Sequence, residues 1–254
     1  MRILITNDDG IQSIGIDALV RAAKAHGHEV VVSAPHVEQS AVSMHLTLAT
    51  PLVIHTSPRW AGVQAFSVKG TPTDCVRLAQ QLTENKHFDF CLSGINDGEN
   101  AGPAVYYSGT VSAAREAAMH YIPAMAVSIC KGADQEMLDA LAERAIHLME
   151  HCPVKKWPRM GVLSLNAPAV KPSELKEMVI CPLSSAYYMD TYERRKNPHG
   201  TTYFWMNDGL PMEEPEKGSD YDYLFKGHPT LTLLSVLSNC NEAISLNESG
   251  REFY

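Results

Sequence analysis

The sequence predicts an α/β fold built on a doubly wound, mostly parallel sheet. Short apolar runs at residues 3–5, 29–34, 88–93 and 124–129 read as strands covered on both faces. Segments with a helical spacing of apolar side chains separate them, giving the β-α-β crossovers of a parallel sheet. Several of these runs also end in loops rich in Asp, Asn, Ser and Gly. In such sheets ligands bind outside the carboxyl ends of the strands.

The first run, Ile3-Leu4-Ile5, ends abruptly in Asn7-Asp8-Asp9-Gly10. Two adjacent carboxylates at the end of a buried strand repel each other unless something positive stands beside them, and a divalent cation suits acidic oxygens. The plainer alternative is a polar turn in which Asp8 or Asp9 caps the next helix. Ile16, Leu19, Val20 and Ala23 space a helix over residues 14–26, ended by Gly27. The second strand, 29–34, stops at Pro35, and the polar loop 35–47 carries Gln39, Ser40 and Ser43. Residues 52–56 and 64–68 read as short strands of a hairpin.

Thr71-Pro72-Thr73-Asp74 is a helix start, with Thr at the N-cap, Pro after it and Asp in the first turn. That structural reading is enough to explain Thr71 and Asp74. The strand at 88–93 runs into Gly94-Ile95-Asn96-Asp97-Gly98-Glu99-Asn100-Ala101-Gly102-Pro103, whose glycines suit close backbone approach to a ligand. Tyr107-Ser108-Gly109-Thr110 then opens a helix over 111–120. Free amides and hydroxyls at a helix N-terminus make an anion site, although the same pattern is also a common cap. After the strand at 124–129 come an amphipathic helix marked by Met137, Leu141, Ala145 and Met149, and a strand over 160–165.

From about residue 186 aromatic and charged side chains alternate, Asn197-Pro198-His199-Gly200 marks a turn, and Tyr203-Phe204-Trp205 is the return strand. A long aromatic hairpin without its own core usually packs on something, often a second subunit. Residues 212–217 form an acidic loop, and an apolar run at 230–236 precedes a polar tail.

The 254 residues suffice for a sizeable core, and 45% hydrophobic with 20% charged residues is ordinary for a globular protein. A formal charge of -8, from 21 basic and 29 acidic side chains, argues against a nucleic-acid polymer as partner. The six cysteines (75, 91, 130, 152, 181 and 240) are scattered and form no Cys-x-x-Cys pair, against a disulfide framework or zinc knuckle. No leader pattern opens the chain, and no segment approaches the ~20 apolar residues of a membrane span. The expectation is a cytoplasmic protein with no membrane partner.

Asp8, Asp9, Ser40 and Asn96 are far apart in sequence, yet each follows the carboxyl end of a predicted strand, and those ends line one rim. Two carboxylates, a hydroxyl and an amide oxygen are hard donors suited to magnesium, manganese or calcium rather than zinc. The helix starting near Thr110 begins on the same rim, where it can hold an anion beside the metal. This arrangement suits metal-assisted phosphoryl transfer. The glycine-rich Lys-Ser/Thr loop, Gly-x-Gly-x-x-Gly after the first strand, His-Glu-x-x-His and Gly-x-Ser-x-Gly are all missing.

The strings Asn7-Asp8-Asp9-Gly10, Ala34-Pro35 reaching Ser40, Gly70-Thr71-Pro72-Thr73-Asp74-Cys75, Ser93-Gly94-Ile95-Asn96 with Gly98, Asn100 and Gly102, and Tyr107-Ser108-Gly109-Thr110 occur in this order. With weaker echoes at Asn197-Pro198-His199-Gly200 and Gly218-Ser219-Asp220, the chain resembles the survival protein E (SurE) family of metal-dependent 5′-nucleotidases. The resemblance implies a Rossmann-like fold, one divalent ion per subunit (manganese or magnesium) and hydrolysis of nucleoside 5′-monophosphates. In some members it extends to 3′-monophosphates and polyphosphate. It implies a single domain over 1–254 whose hairpin and tail, about 186–254, are exchanged within a homodimer or homotetramer. Carried over by position, Asp8, Asp9, Ser40 and Asn96 are the metal ligands, with Asp8, Asp9 and Asn96 serving catalysis. Asn100, Ser108, Gly109 and Thr110 surround the phosphate.

The chain departs from that pattern in places. Ala41 stands where the family usually has glycine, Met44 and His45 replace smaller or polar residues, and Pro103-Ala104 fill positions often acidic or polar. Lys226 and His228 replace an acidic residue and an aromatic. The rival from another class is a noncatalytic metal- and nucleotide-binding regulatory module. A phosphorylation receiver is disfavoured because its acceptor-aspartate position reads Ser93-Gly94-Ile95-Asn96.

Overall fold

The computed structural model describes residues 1–151, 160–186, 188–211 and 214–237. In order, the chain forms β1 (Arg2–Thr6), α1 (Ile14–Ala25), β2 (Glu29–Pro35), β3 (Val53–Thr56), β4 (Gln64–Lys69) and α2 (Pro72–Leu82). Then come β5 (Phe90–Asp97), α3 (Gly109–Met119), β6 (Ala124–Ile129), α4 (Gln135–His151), β7 (Gly161–Ala167) and β8 (Val179–Ile180). The hairpin β9 (Tyr188–Lys196) and β10 (Thr202–Pro211), helix α5 (Asp220–Phe225) and strand β11 (Thr230–Ser235) complete it.

Among the described residues nine strands form one sheet in the order β3-β4-β2-β1-β5-β6-β7-β11-β8. The six from β4 to β7 are mutually parallel, while β3 lies antiparallel on the edge. All five residues of β1 are buried, so its apolar run occupies the centre as its composition demands. Helices α1 and α4 share one core layer, with Ile16, Leu19, Met137 and Leu141 against Ile3 and Ile5. Helices α2 and α3 share the opposite one, with Val76, Ala79, Val111 and Ala114 against Leu4 and Cys91. The fold is the doubly wound α/β sheet expected. Strand order reverses at β1, and the crevice at such a reversal is where these sheets bind ligands.

The last third differs from expectation. The apolar run near residue 230 is a strand, but it pairs antiparallel with β7 and parallel with β8, inside the sheet. The six-residue α5, begun by a Ser219 N-cap, was not anticipated, nor was two-residue β8. Hairpin β9–β10 forms a separate two-stranded sheet that leaves Tyr192, Phe204, Trp205 and Met206 exposed. Such a pair is marginally stable alone. Cys152, Cys240, Tyr187, residues 212–213 and the tail beyond 237 lie outside the described residues.

At the surface His26 Nε2 lies 2.9 Å from Glu143 and His28 Nε2 lies 3.0 Å from Glu150, which ties the end of α1 to α4. The two glutamates raise the pKa of His26. Cys75, Cys91, Cys130 and Cys181 are free thiols, and burial pushes Cys91 and Cys130 up to about 12. Among the described residues no helix is long and apolar enough to cross a membrane.

Candidate active site

A cavity of about 370 Å³ opens on the carboxyl rim above β1. The loop after β1 contributes Asp8 and Asp9, and the loop after β2 contributes Glu38, Ser40 and Ala41. The end of β5 and its following loop add Asn96, Asp97 and Asn100, while Tyr107 and Ser108 precede α3 and Lys131 follows β6. The structure thus brings together Asp8, Asp9, Ser40, Asn96, Asn100 and Ser108. Gly109 and Thr110 stand behind Asp8 rather than on the lining.

Asp8 is buried, and its carboxylate is held from the start of α3: Thr110 Oγ1 donates to Asp8 Oδ1, and the amides of Gly109 and Thr110 favour the charged form. Burial still raises the Asp8 pKa. Gly109 has no room for a side chain, since a Cβ there would lie 2.8 Å from Asp8 Cβ and 2.9 Å from Asp8 Oδ2. Asp9 is less constrained, accepting from the Asp97 amide at 3.3 Å. Its pKa is pushed up to about 7, first by burial and next by the charge of Asp8. Asn96 Nδ2 donates to Gly98 O at 2.6 Å, which turns its amide oxygen the other way. Ser40 Oγ donates to Glu38 Oε1 at 2.6 Å.

The loop carrying Ser40 is fastened at both ends. Gln39 N donates to Asp8 O at 2.8 Å and Ser43 N to Tyr107 O at 3.0 Å. Thr71 and Asp74 form the capping box expected of them, and they also hold the loop: Thr71 Oγ1 donates to His45 O, and Thr47 Oγ1 donates to Asp74 Oδ2. Ala41 sits at φ +57°, a conformation that costs an L-residue about 1–2 kcal/mol and glycine nothing. Ala41→Gly is therefore expected to raise Tm slightly, by roughly 1–3 °C once the added freedom of the unfolded chain is subtracted. A fall in Tm by differential scanning fluorimetry would contradict that strain argument.

Asn100 is fixed from behind, its amide donating to Asn166 Oδ1 at 2.7 Å and its Nδ2 to Ser128 Oγ at 2.8 Å. One turn further on, buried Asp220 accepts from the backbone amides of Gly102 (2.8 Å), Ser184 (2.7 Å) and Tyr221 (2.8 Å). Its pKa is raised by burial. The carboxylate thereby docks α5 against the loop leading to Tyr107 and Ser108. Asp220→Ala leaves three buried donors unpaired and is expected to cost about 3 kcal/mol, lowering Tm by roughly 6–12 °C. Thermal denaturation monitored by circular dichroism checks this; an unchanged Tm would mean that water replaces the carboxylate.

Sequence reasoning passed over Glu38, Asp97 and Lys131. Lys131 was legible in principle, as a lysine two residues beyond the end of a buried strand, hence on the rim. It is the only basic side chain among the described residues that line the cavity, against the four carboxylates of Asp8, Asp9, Glu38 and Asp97. No group of three or more His, Cys, Asp or Glu suited to a metal occurs among the described residues. Any metal would thus rest on the mixed set of two carboxylates, a hydroxyl and an amide oxygen. That set fits a hard divalent cation. A phosphate in this cavity needs such a cation, because four carboxylates otherwise repel it.

The family described as Survival protein SurE matches residues 3–190. The chain is 40% identical over 251 residues to the 5′-nucleotidase SurE of Maridesulfovibrio salexigens, covering 98% of each. It is 35% identical over 252 residues to that of Thermosipho melanesiensis, covering 99% of this chain and 98% of the relative. The crystal structure of the SurE protein from Aquifex aeolicus superposes with a TM-score of 0.78 at 30% identity, over 94% of this chain and 95% of that one. On this evidence, the chain belongs to the survival protein SurE family.

Proposed function

We propose that this chain is a metal-dependent 5′-nucleotidase that hydrolyses nucleoside 5′-monophosphates to nucleoside and phosphate. The observation that carries the reading is the cavity itself: hard oxygen donors from three strand ends meet a lysine and the start of a helix at one rim. The activity named for the 40%-identical relative supports it. Asp8, Asp9, Ser40 and Asn96 would hold one divalent ion, manganese or magnesium. When bound, the ion supplies charge that offsets the phosphate and acidifies a water.

The remaining steps belong to side chains. Asn100, Ser108 and Lys131 orient the phosphate and oppose its charge. Asp8 is positioned through Thr110 and the start of α3, so it stays where it is as charge moves in the reaction, which is the advantage of preorganised groups. Asp9, less constrained than Asp8, is the carboxylate we assign to take the water's proton. The exposed aromatic hairpin supports a homodimer or homotetramer joined through the region from about 186 to 254. The scattered cysteines support a reducing compartment, the cytoplasm.

Phosphate release from a panel of nucleoside monophosphates, with manganese, magnesium or excess chelator, tests the reading. Release that needs the metal is the expected result. Binding of metal and nucleotide with no release from any substrate would replace the enzyme with a noncatalytic regulatory module.

A further inference from the structure

A second cavity, of about 300 Å³, opens beside the first and shares two side chains with it, Asp9 and Asp97. We propose that it is the nucleoside subsite, with the base against its aliphatic wall and the ribose hydroxyls on Asp97. This rests on the nucleotidase reading and adds to it where the organic half of the substrate goes.

The walls decide the class of ligand. Buried Ile95 and Ile129, with Ala133 and Ile14, give it an aliphatic lining. Ile14 leaves 59% of its surface uncovered at the first position of α1. No basic side chain lines this cavity among the described residues, so a further phosphate has nothing to hold it. A flat apolar group gains from such walls. At the mouth, carboxylates can only accept hydrogen bonds, and a ribose presents two neighbouring hydroxyl donors there. The same pairing of an acidic side chain with ribose hydroxyls recurs in dinucleotide-binding sheets.

Position agrees with chemistry. Asp9 and Asp97 line both spaces, so the phosphate cavity and the apolar one adjoin at these two side chains. Gly15 packs α1 on the end of β5 so closely that a Cβ there would lie 2.0 Å from Ile95 O. A nucleoside 5′-monophosphate, phosphate at one end and base at the other, spans the two.

The test is steady-state kinetics with manganese on AMP, dAMP and p-nitrophenyl phosphate, an activated ester without ribose. Wild type is compared with Ala133→Phe, which fills the cavity, with Asp97→Ala, and with Tyr107→Ala, which lines the phosphate cavity but not this one. Ala133→Phe is expected to lower the ratio of kcat/KM for AMP over p-nitrophenyl phosphate by about ten-fold or more, mainly through KM. Asp97→Ala should bring AMP and dAMP to within about two-fold of each other, from a wild-type preference for AMP of roughly ten-fold. The exposed Asp97 carries the test alone if Ala133→Phe does not fold.

An unchanged ratio in folded Ala133→Phe, or a ratio that falls only in Tyr107→Ala, overturns the subsite and leaves the nucleotidase reading standing. Equal wild-type rates on AMP and dAMP remove the role of Asp97. Wild type that releases phosphate from p-nitrophenyl phosphate but from neither nucleotide overturns both readings, and the wild-type rows alone reveal that case.

Discussion

Asp8→Asn is expected to lower kcat/KM for nucleoside monophosphates by about 10³-fold, a loss of roughly 4 kcal/mol of transition-state stabilisation. The reason lies in how many groups converge on this carboxylate. Thr110 donates to it, the amides at the start of α3 favour its charge, and Gly109 leaves it just enough room. An asparagine keeps the shape and loses both the charge and one acceptor. The variant should also lose the rise in Tm that manganese gives wild type, because a ligand that binds only the folded state stabilises in proportion to its occupancy. Phosphate release and thermal shift with and without manganese make the comparison. Full activity in Asp8→Asn would remove Asp8 from the site; lost activity with an intact metal shift would confine it to orienting groups.

Gly15→Ala is expected to cost at least about 3 kcal/mol of stability and 6–12 °C in Tm, although it adds a single methyl group. A Cβ at Gly15 would lie 2.0 Å from the Ile95 carbonyl oxygen and 2.9 Å from its carbon. Both are backbone atoms in the strand that carries Asn96, so no side chain can turn aside to make space. Gly27→Ala is the control. Gly27 has φ +75° but nothing within 4 Å of its Cβ position, so only conformational strain of about 1 kcal/mol applies. Equal Tm losses in the two variants, measured by calorimetry, would refute close packing of α1 on β5 as the cause.

What could be read from the sequence and what could not follow from the range of the interactions involved. Strands β1, β2, β5 and β6 were legible because a strand covered on both faces must be apolar throughout. The rim residues were legible because polar loops leave such strands at one end. The insertion of β11 between β7 and β8 was not, since pairing partners 60 or so residues apart leave no local pattern. The role of Thr110 was also hidden. A helix start that reads as an anion cradle meets a carboxylate of its own chain, 102 residues away. Lys131 and Asp97 could be placed on the rim from the strand ends beside them, but only the convergence of loops shows that they face one cavity.

The place of β11 bears on how the molecule assembles during synthesis. Strands β4 to β6, with the helices between them, involve contacts that close as the chain emerges. The edge of β7 must wait for residues 230–235, as must β8, which among the described residues pairs with β11 alone. Until that late segment arrives, a nascent chain presents an apolar strand with unpaired amides and carbonyls, the kind of surface that draws other chains. The same late strand leads back from α5, whose Asp220 braces the loop before Ser108. A chain halted before residue 230 would therefore hold most of its sheet, all of its acidic rim residues and Asp220 itself, yet would present the bare, sticky edge of β7.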